Sequence, residues 1–195
     1  MRSVKKEIRI IGFDDGPFIP KSKGKVPVVG VIYRGGNYLD GILKTEVKID
    51  GIDSTKKLID IINSSRHKEQ LRIIILDGIT VGGFNLIDIK KLNKKTNLPV
   101  LVINRKKPEI TKFKNALKNF KNYKKRLEIM ENAGETKVLK IEKHKNLYYQ
   151  CIGLDKNEIE KIIKMSCIHS LIPEPLRVAH LIASAIVKGE SKGRA

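Results

Sequence analysis

At 195 residues, 41% hydrophobic and 31% charged, the chain has the composition of a soluble globular protein with one respectable core. Two large domains are excluded by length, and no apolar run approaches the roughly 18 residues of a membrane span. Forty Lys and Arg against 21 Asp and Glu give a formal charge of +19, which concentrates polyanions at the surface.

DNA or RNA is therefore the expected partner and a membrane is not, although a proteome that favours Lys would raise the same count with no nucleic acid involved. The amino end, Met1 to Lys6, is followed by no apolar signal core, so a cytoplasmic location is expected. Cys151 and Cys167 are too few and too far apart for a disulfide scaffold, and they form no C-x-x-C pair for zinc.

In chain order, Glu7 to Phe13 reads as a first strand that stops at Asp14-Asp15-Gly16-Pro17. Val26 to Tyr33 is a second, Arg34-Gly35-Gly36-Asn37 a hairpin turn, and Tyr38 to Ile49 the returning third. Asp53 or Ser54 sits where a helix cap belongs, ahead of Leu58, Ile59, Ile61 and Ile62 on one helical face. Leu71 to Asp77 contains the β-branched run Ile73-Ile74-Ile75, as a strand buried on both faces does, and it ends abruptly at Asp77-Gly78.

A Val81-Gly82-Gly83 loop then leads to an expected helix from Phe84 to Lys95, and Leu98 to Ile103 is the next buried strand. Helix and strand alternating in this half imply right-handed parallel crossovers, hence a mixed five-stranded α/β sheet: three antiparallel strands, then two parallel ones, flanked by helices. One domain over residues 1–195 is expected, with a basic helical and hairpin insertion at about 105–151.

Within that insertion ten basic residues from Arg105 to Arg126 face the single acid Glu109, and Phe113, Ala116, Leu117 and Phe120 make one apolar helical stripe. The two phenylalanines read as core rather than base-stacking groups. A hairpin across Glu142 to Lys145 follows, then a helix begun by Asp155 and a closing helix from Leu176 to Lys188.

Three acids stand at strand ends or loop mouths: Asp14, Asp53 (or Asp50) and Asp77. Parallel neighbours ending in Asp14 and Asp77 would press two carboxylates together, and such a pair favours a cation between them. Mg²⁺ or Mn²⁺ accepts a few carboxylates and fills its shell with water or phosphate oxygen, the layout for directing water at a phosphodiester. Each acid also has a structural use, Asp14 and Asp77 as turn residues and Asp53 as a helix cap. Asp15, Asp50 and Asp88 are set outside the inner shell, and His180 on the closing helix is by itself more often a packing residue. Val81-Gly82-Gly83 lacks the Lys-Ser/Thr of a phosphate loop.

Taken together, Gly12-Phe13-Asp14, Leu76-Asp77-Gly78, Leu98-Pro99-Val100 and Ile172-Pro173-Glu174-Pro175-Leu176-Arg177-Val178-Ala179-His180 resemble endonuclease V, and more closely an archaeal family distantly related to it. The resemblance implies an RNase H-like fold and a divalent-metal-dependent nuclease acting on DNA or RNA. It implies Asp14, Asp53 and Asp77 as ligands of Mg²⁺ or Mn²⁺, and His180 as the group that orients water or phosphate. Arg105, Lys106, Lys107 and Arg177 are the expected nucleic-acid contacts. Two features depart from endonuclease V. Lys48-Ile49-Asp50-Gly51 replaces its Pro-Tyr-Ile-Pro wedge, and Gly83-Phe84-Asn85 stands where it has a histidine. These departures leave open a non-catalytic nucleic-acid-binding module on the same fold, and the same pocket would also suit a small-molecule phosphate or nucleotide enzyme.

Overall fold

The computed structural model describes residues 4–5, 7–142 and 145–191. Seven strands form one mixed sheet: β1 (Arg9–Asp15), β2 (Lys25–Arg34), β3 (Tyr38–Lys48), β4 (Leu71–Asp77), β7 (Val100–Asn104), β8 (Lys137–Glu142) and β9 (Lys145–Ile152). Their spatial order is β3-β2-β1-β4-β7-β9-β8. β1 to β3 are an antiparallel meander, β1, β4 and β7 run parallel, and β9 and β8 return antiparallel. The expected mixed sheet is present, but it has seven strands instead of five, because the hairpin of the basic segment extends it beyond β7. A hairpin can extend an edge that would otherwise leave backbone N–H and C=O groups unpaired. The turn of that hairpin, Lys143 and His144, lies outside the described residues.

One sheet face carries α1 (Ser54–Asn63) and α2 (Ile89–Thr96), with Leu58, Ile62, Ile89 and Leu92 packed on Phe13, Ile74 and Leu76. The other carries α5 (Lys156–Ser166) and α6 (Glu174–Lys188), with Ile159, Ile162 and Leu176 on Ile10, Ile73 and Ile75, and Ala179 and Ala183 on Val29 and Val31. β4 is thus apolar on both sides, which is why its sequence does not alternate.

The helix expected from Phe84 begins only at Ile89. Gly82 and Gly83 take φ of 58° and 84°, turning the chain into a hairpin of two-residue strands, β5 (Thr80–Val81) with β6 (Asn85–Leu86). Asp88 then caps α2 by accepting the Lys91 N–H at 2.9 Å. The single apolar stripe of the basic segment divides into α3 (Ile110–Leu117) and α4 (Tyr123–Asn132). Phe113 and Phe120 pack on Phe84 with ring centroids 5.5 and 5.3 Å apart, as core residues do. Among the described residues no helix is long and apolar enough to cross a membrane.

Candidate active site

β1 and β4 are parallel neighbours whose last registered pair is Phe13 and Leu76, so Asp14 and Asp77 are the next residues on each strand. Side chains alternate across a sheet. Gly12 faces α6 while Phe13 packs toward α1 and α2, and Ile75 faces α5 and α6 while Leu76 packs the other way. Asp14 and Asp77 therefore emerge on the α6 face, side by side at the carboxyl ends of the strands. In open α/β sheets this is where ligands bind.

α6 supplies the third group. Gly12 lets the helix lie directly on β1: a Cβ there would stand 2.7 Å from the Pro175 carbonyl carbon and 2.8 Å from the Leu176 nitrogen. From that crossing the chain runs five residues along α6 to His180 and two along β1 to Asp14. At about 1.5 Å per helical residue and about 3.3 Å per strand residue, both spans are roughly 7 Å. His180 Nδ1 accordingly meets Asp14 Oδ2 at 2.8 Å. The hydrogen bond to Asp14, opposed by partial burial, raises the histidine pKa above its usual value.

Asp77 is exposed to solvent on one side, while the protein around it removes part of its hydration. That desolvation, with repulsion from Asp14, raises its pKa to about 6, against the lowering influence of Arg105 and His180. Asp15, on the opposite face of β1, is also raised to about 6, first by burial and then by Asp14 and Asp77, while the Gly82 N–H that donates to its Oδ2 at 2.8 Å pulls the other way. The Asp15 N–H donates to Asp14 Oδ1 at 2.9 Å. Asp14, Asp15, Asp77, His180 and Arg105 thus share one electrostatic environment, with Lys106 and Lys107 exposed beside it.

Two expected residues stand elsewhere. Asp53 precedes α1 but makes no side-chain cap; its Oδ1 accepts the Lys48 N–H at 3.2 Å and the Asn85 amide at 2.7 Å. The trio Asp14, Asp53 and Asp77 does not form one ligand shell, and among the described residues no group of three or more His, Cys, Asp and Glu side chains is arranged to hold a metal ion. Nor does the Asp50 carboxylate take that place, since its Oδ1 accepts the Phe84 N–H at 2.8 Å. Arg177 lies one helical turn before His180, toward Tyr33, and its guanidinium is committed to the buried Glu174 at 2.7 Å. Of the four expected nucleic-acid contacts, Arg105 acts on Asp77, Lys106 and Lys107 follow it as exposed residues, and Arg177 is turned to Glu174.

The sequence leaves Asp15 outside the inner shell, whereas the structure brings it into the environment of the carboxylates. Its signal was the Gly82-Gly83 pair, whose free backbone N–H needs an acceptor. Beside the carboxylates a groove of about 930 Å³ opens at Gly78 and Asn104, the residues after Asp77 and before Arg105. Ile79, Phe84, Phe113 and Gln150 are among its walls.

Residues 6–187 match the profile of the endonuclease dU family. The chain belongs to that family. It is 47% identical over 195 residues to a UPF0215 protein of Methanothermobacter thermautotrophicus, covering all of this chain and 95% of the other. A UPF0215 protein of Pyrococcus horikoshii is 47% identical over 194 residues, covering 98% of each. Among solved structures, a protein of unknown function from Archaeoglobus fulgidus matches with a TM-score of 0.83 at 43% identity, over 93% of this chain and 99% of that one. Endonuclease V of Ciona intestinalis, bound to a 24mer DNA containing an inosine followed by a ribo-adenosine, matches with a TM-score of 0.62 at 16% identity, over 94% and 87%. At that identity the likeness is one of fold.

Proposed function

We propose that this endonuclease dU family member is a divalent-metal-dependent endonuclease that cuts a phosphodiester of DNA beside a deoxyuridine. The observation that carries the proposal is the pair Asp14 and Asp77 at adjacent parallel strand ends, with His180 hydrogen-bonded to the first. The donor set suits a hard cation: two carboxylates that repel one another, with open space toward solvent for water and phosphate oxygen. Asp14 and Asp77 would hold Mg²⁺ or Mn²⁺, which would polarise the phosphate and favour ionised water there.

The chain's own groups supply the rest. With Nδ1 turned to Asp14, the His180 ring has Nε2 left for substrate, and the hydrogen bond to Asp14 favours the protonated ring that could give a proton to the departing oxygen. Arg105, which acts on Asp77, would pair with a phosphate oxygen, and Lys106 and Lys107 would hold the flanking backbone. A uracil swung out of the helix would enter the groove at Gly78, against Phe84 and Phe113, with Asn104 and Gln150 as its polar partners. The endonuclease V wedge is missing, so extrusion would rest on other residues than in that enzyme.

Oligonucleotides carrying a single deoxyuridine, inosine or no lesion, single- and double-stranded, incubated with Mg²⁺, Mn²⁺ or EDTA beside Asp77→Ala, test this. Metal-dependent product at deoxyuridine, abolished in the variant, is expected. A second reading, a nucleic-acid-binding module without chemistry, is favoured by one observation, the engagement of Asp53 by Lys48 and Asn85. Binding that weakens steeply with salt and yields no product under any metal would establish it over the first.

A further inference from the structure

Arg126 on α4 is 2% exposed, and every hydrogen bond of its guanidinium among the described residues goes to a neutral oxygen. Nε donates to Asn122 Oδ1 at 2.8 Å, one terminal nitrogen to the Phe84 carbonyl, the other to the Asp50 carbonyl at 2.5 Å, and the group stacks 4.4 Å above the Phe120 ring. From the N–H of the same Asp50 a series of bonds leads on to the carboxylates. The Asp50 N–H donates to the Gly82 carbonyl at 2.8 Å, the Gly82 N–H to Asp15, the Asp15 N–H to Asp14, and Asp14 meets His180. Phe84 is gripped through both of its backbone groups, its N–H by the Asp50 carboxylate and its C=O by Arg126.

Asn85 ties the same loops to Lys48, Asp53 and Ser54, whereas the Asp50 and Phe84 carbonyls are bonded by Arg126. Asp50 takes φ of 54°, unfavourable for a residue with a Cβ, and Gly82 and Gly83 are left-handed as well. β5 and β6, two residues each, contribute one short ladder. Docking of α3 and α4 does not itself call for a buried cation, since Leu117, Ile129 and Met130 already pack on Leu86. A guanidinium taken out of water is costly, whereas an apolar side chain of that size would be cheap. What it adds is direction, because a planar fork fixes two carbonyls at once and a point charge does not.

We propose that Arg126 is a positioning residue for the cleavage assigned above: it clamps the Asp50 and Phe84 peptides so that the Gly82 N–H holds Asp15 and, through it, Asp14 stays seated against His180. The inference rests on that assignment, and its test separates the two. Arg126→Lys and Arg126→Met are compared with wild type in single-turnover cutting, at a temperature where all three are folded. Because Arg126 touches no substrate, kcat should fall about 100-fold in the Met variant and about 10-fold in the Lys variant, with KM moving less than about 3-fold. Amide exchange at Gly82 should quicken by about 10-fold or more in the Met variant while the β1 and β4 amides keep their protection. Guanidinium ion at low millimolar concentration should restore part of the rate to Arg126→Ala, a response that a purely structural role does not give.

A wild type that cuts beside a Met variant that cuts equally fast, with unchanged exchange at Gly82, overturns the inference alone. A wild type that yields no metal-dependent product overturns the cleavage and the positioning role together. Should the Met variant not fold, the Lys variant and the guanidinium rescue still decide, and wild-type kcat in the former with no rescue in the latter counts against Arg126.

Discussion

Asp14, Asp15 and Asp77 bring three carboxylates to one place, and the consequences can be read one residue at a time. Asp15 has its pKa raised to about 6 chiefly by burial, above the 3.8 of an unconstrained aspartate. A carboxyl raised in this way favours the folded state fully below about pH 4, and that advantage is lost as pH rises through about 6. Asp15→Asn keeps an acceptor for the Gly82 N–H and discards the charge. Its melting temperature should therefore exceed wild type by several degrees at pH 7.5, on the order of 2 kcal/mol, and match it at pH 4, as calorimetry can check. Asp77, also near 6, must lose its proton before it can hold a cation. Mn²⁺ affinity measured by calorimetry should accordingly strengthen as pH rises from 5 to 7, and less steeply in Asp77→Asn, where Asp15 and His180 still titrate and the remaining binding should be weaker by about 10-fold or more.

At the scale of elements, the register between α6 and β1 decides whether His180 reaches Asp14. Gly12 is the residue on which that register depends, because a side chain there would collide with the Pro175 and Leu176 backbone, which cannot step aside as a flexible side chain can. Gly12→Ala should cost about 1–3 kcal/mol by overpacking and separate His180 from its partner. Denaturant unfolding checks the first effect, and the histidine titration followed by NMR checks the second: its pKa should return toward 6.5, its ordinary value. The same scale explains why the helix expected from Phe84 was too long. Leu86, Ile87, Ile89 and Leu92 suit a helical face, but Asn85 is fully buried with its amide spent on Ser54, Lys48 and Asp53, and those bonds hold it in β6. Partners 31 to 37 residues away override local periodicity, and nothing in the segment itself announces them.

Over the whole molecule the charge of +19 is unevenly spread, with Lys112 and Lys114 on α3, Lys118 and Lys121 in the turn after it, and Lys124 and Lys125 on α4. Phosphates neutralised there release counterions, so affinity for any DNA should fall linearly in log–log against salt. Lys121→Glu, Lys124→Glu and Lys125→Glu combined should flatten that slope by about three and weaken lesion-bearing and plain duplexes alike, as anisotropy titrations at several salt concentrations can read. The position of the cut should not change, because these lysines meet backbone and carry no base information.

The antiparallel meander with parallel strands added to it and the core role of Phe113 and Phe120 follow from local signals, apolar runs that end in acids and alternation of helix with strand. The same signals put Asp14 beside Asp77 on condition that their strands pair, and that pairing and the two further strands are tertiary facts. Those signals survive because burial on both faces of a strand leaves a mark in its own residues. The fate of Asp53, the commitment of Arg177 to Glu174, the entry of Asp15 into the carboxylate environment and the clamp made by Arg126 were decided by the tertiary structure alone. Each depends on which backbone N–H or carbonyl lies within about 3 Å of a side chain, and a hydrogen bond is lost over an ångström or so. Linear spacing cannot specify so short a distance between residues tens of positions apart.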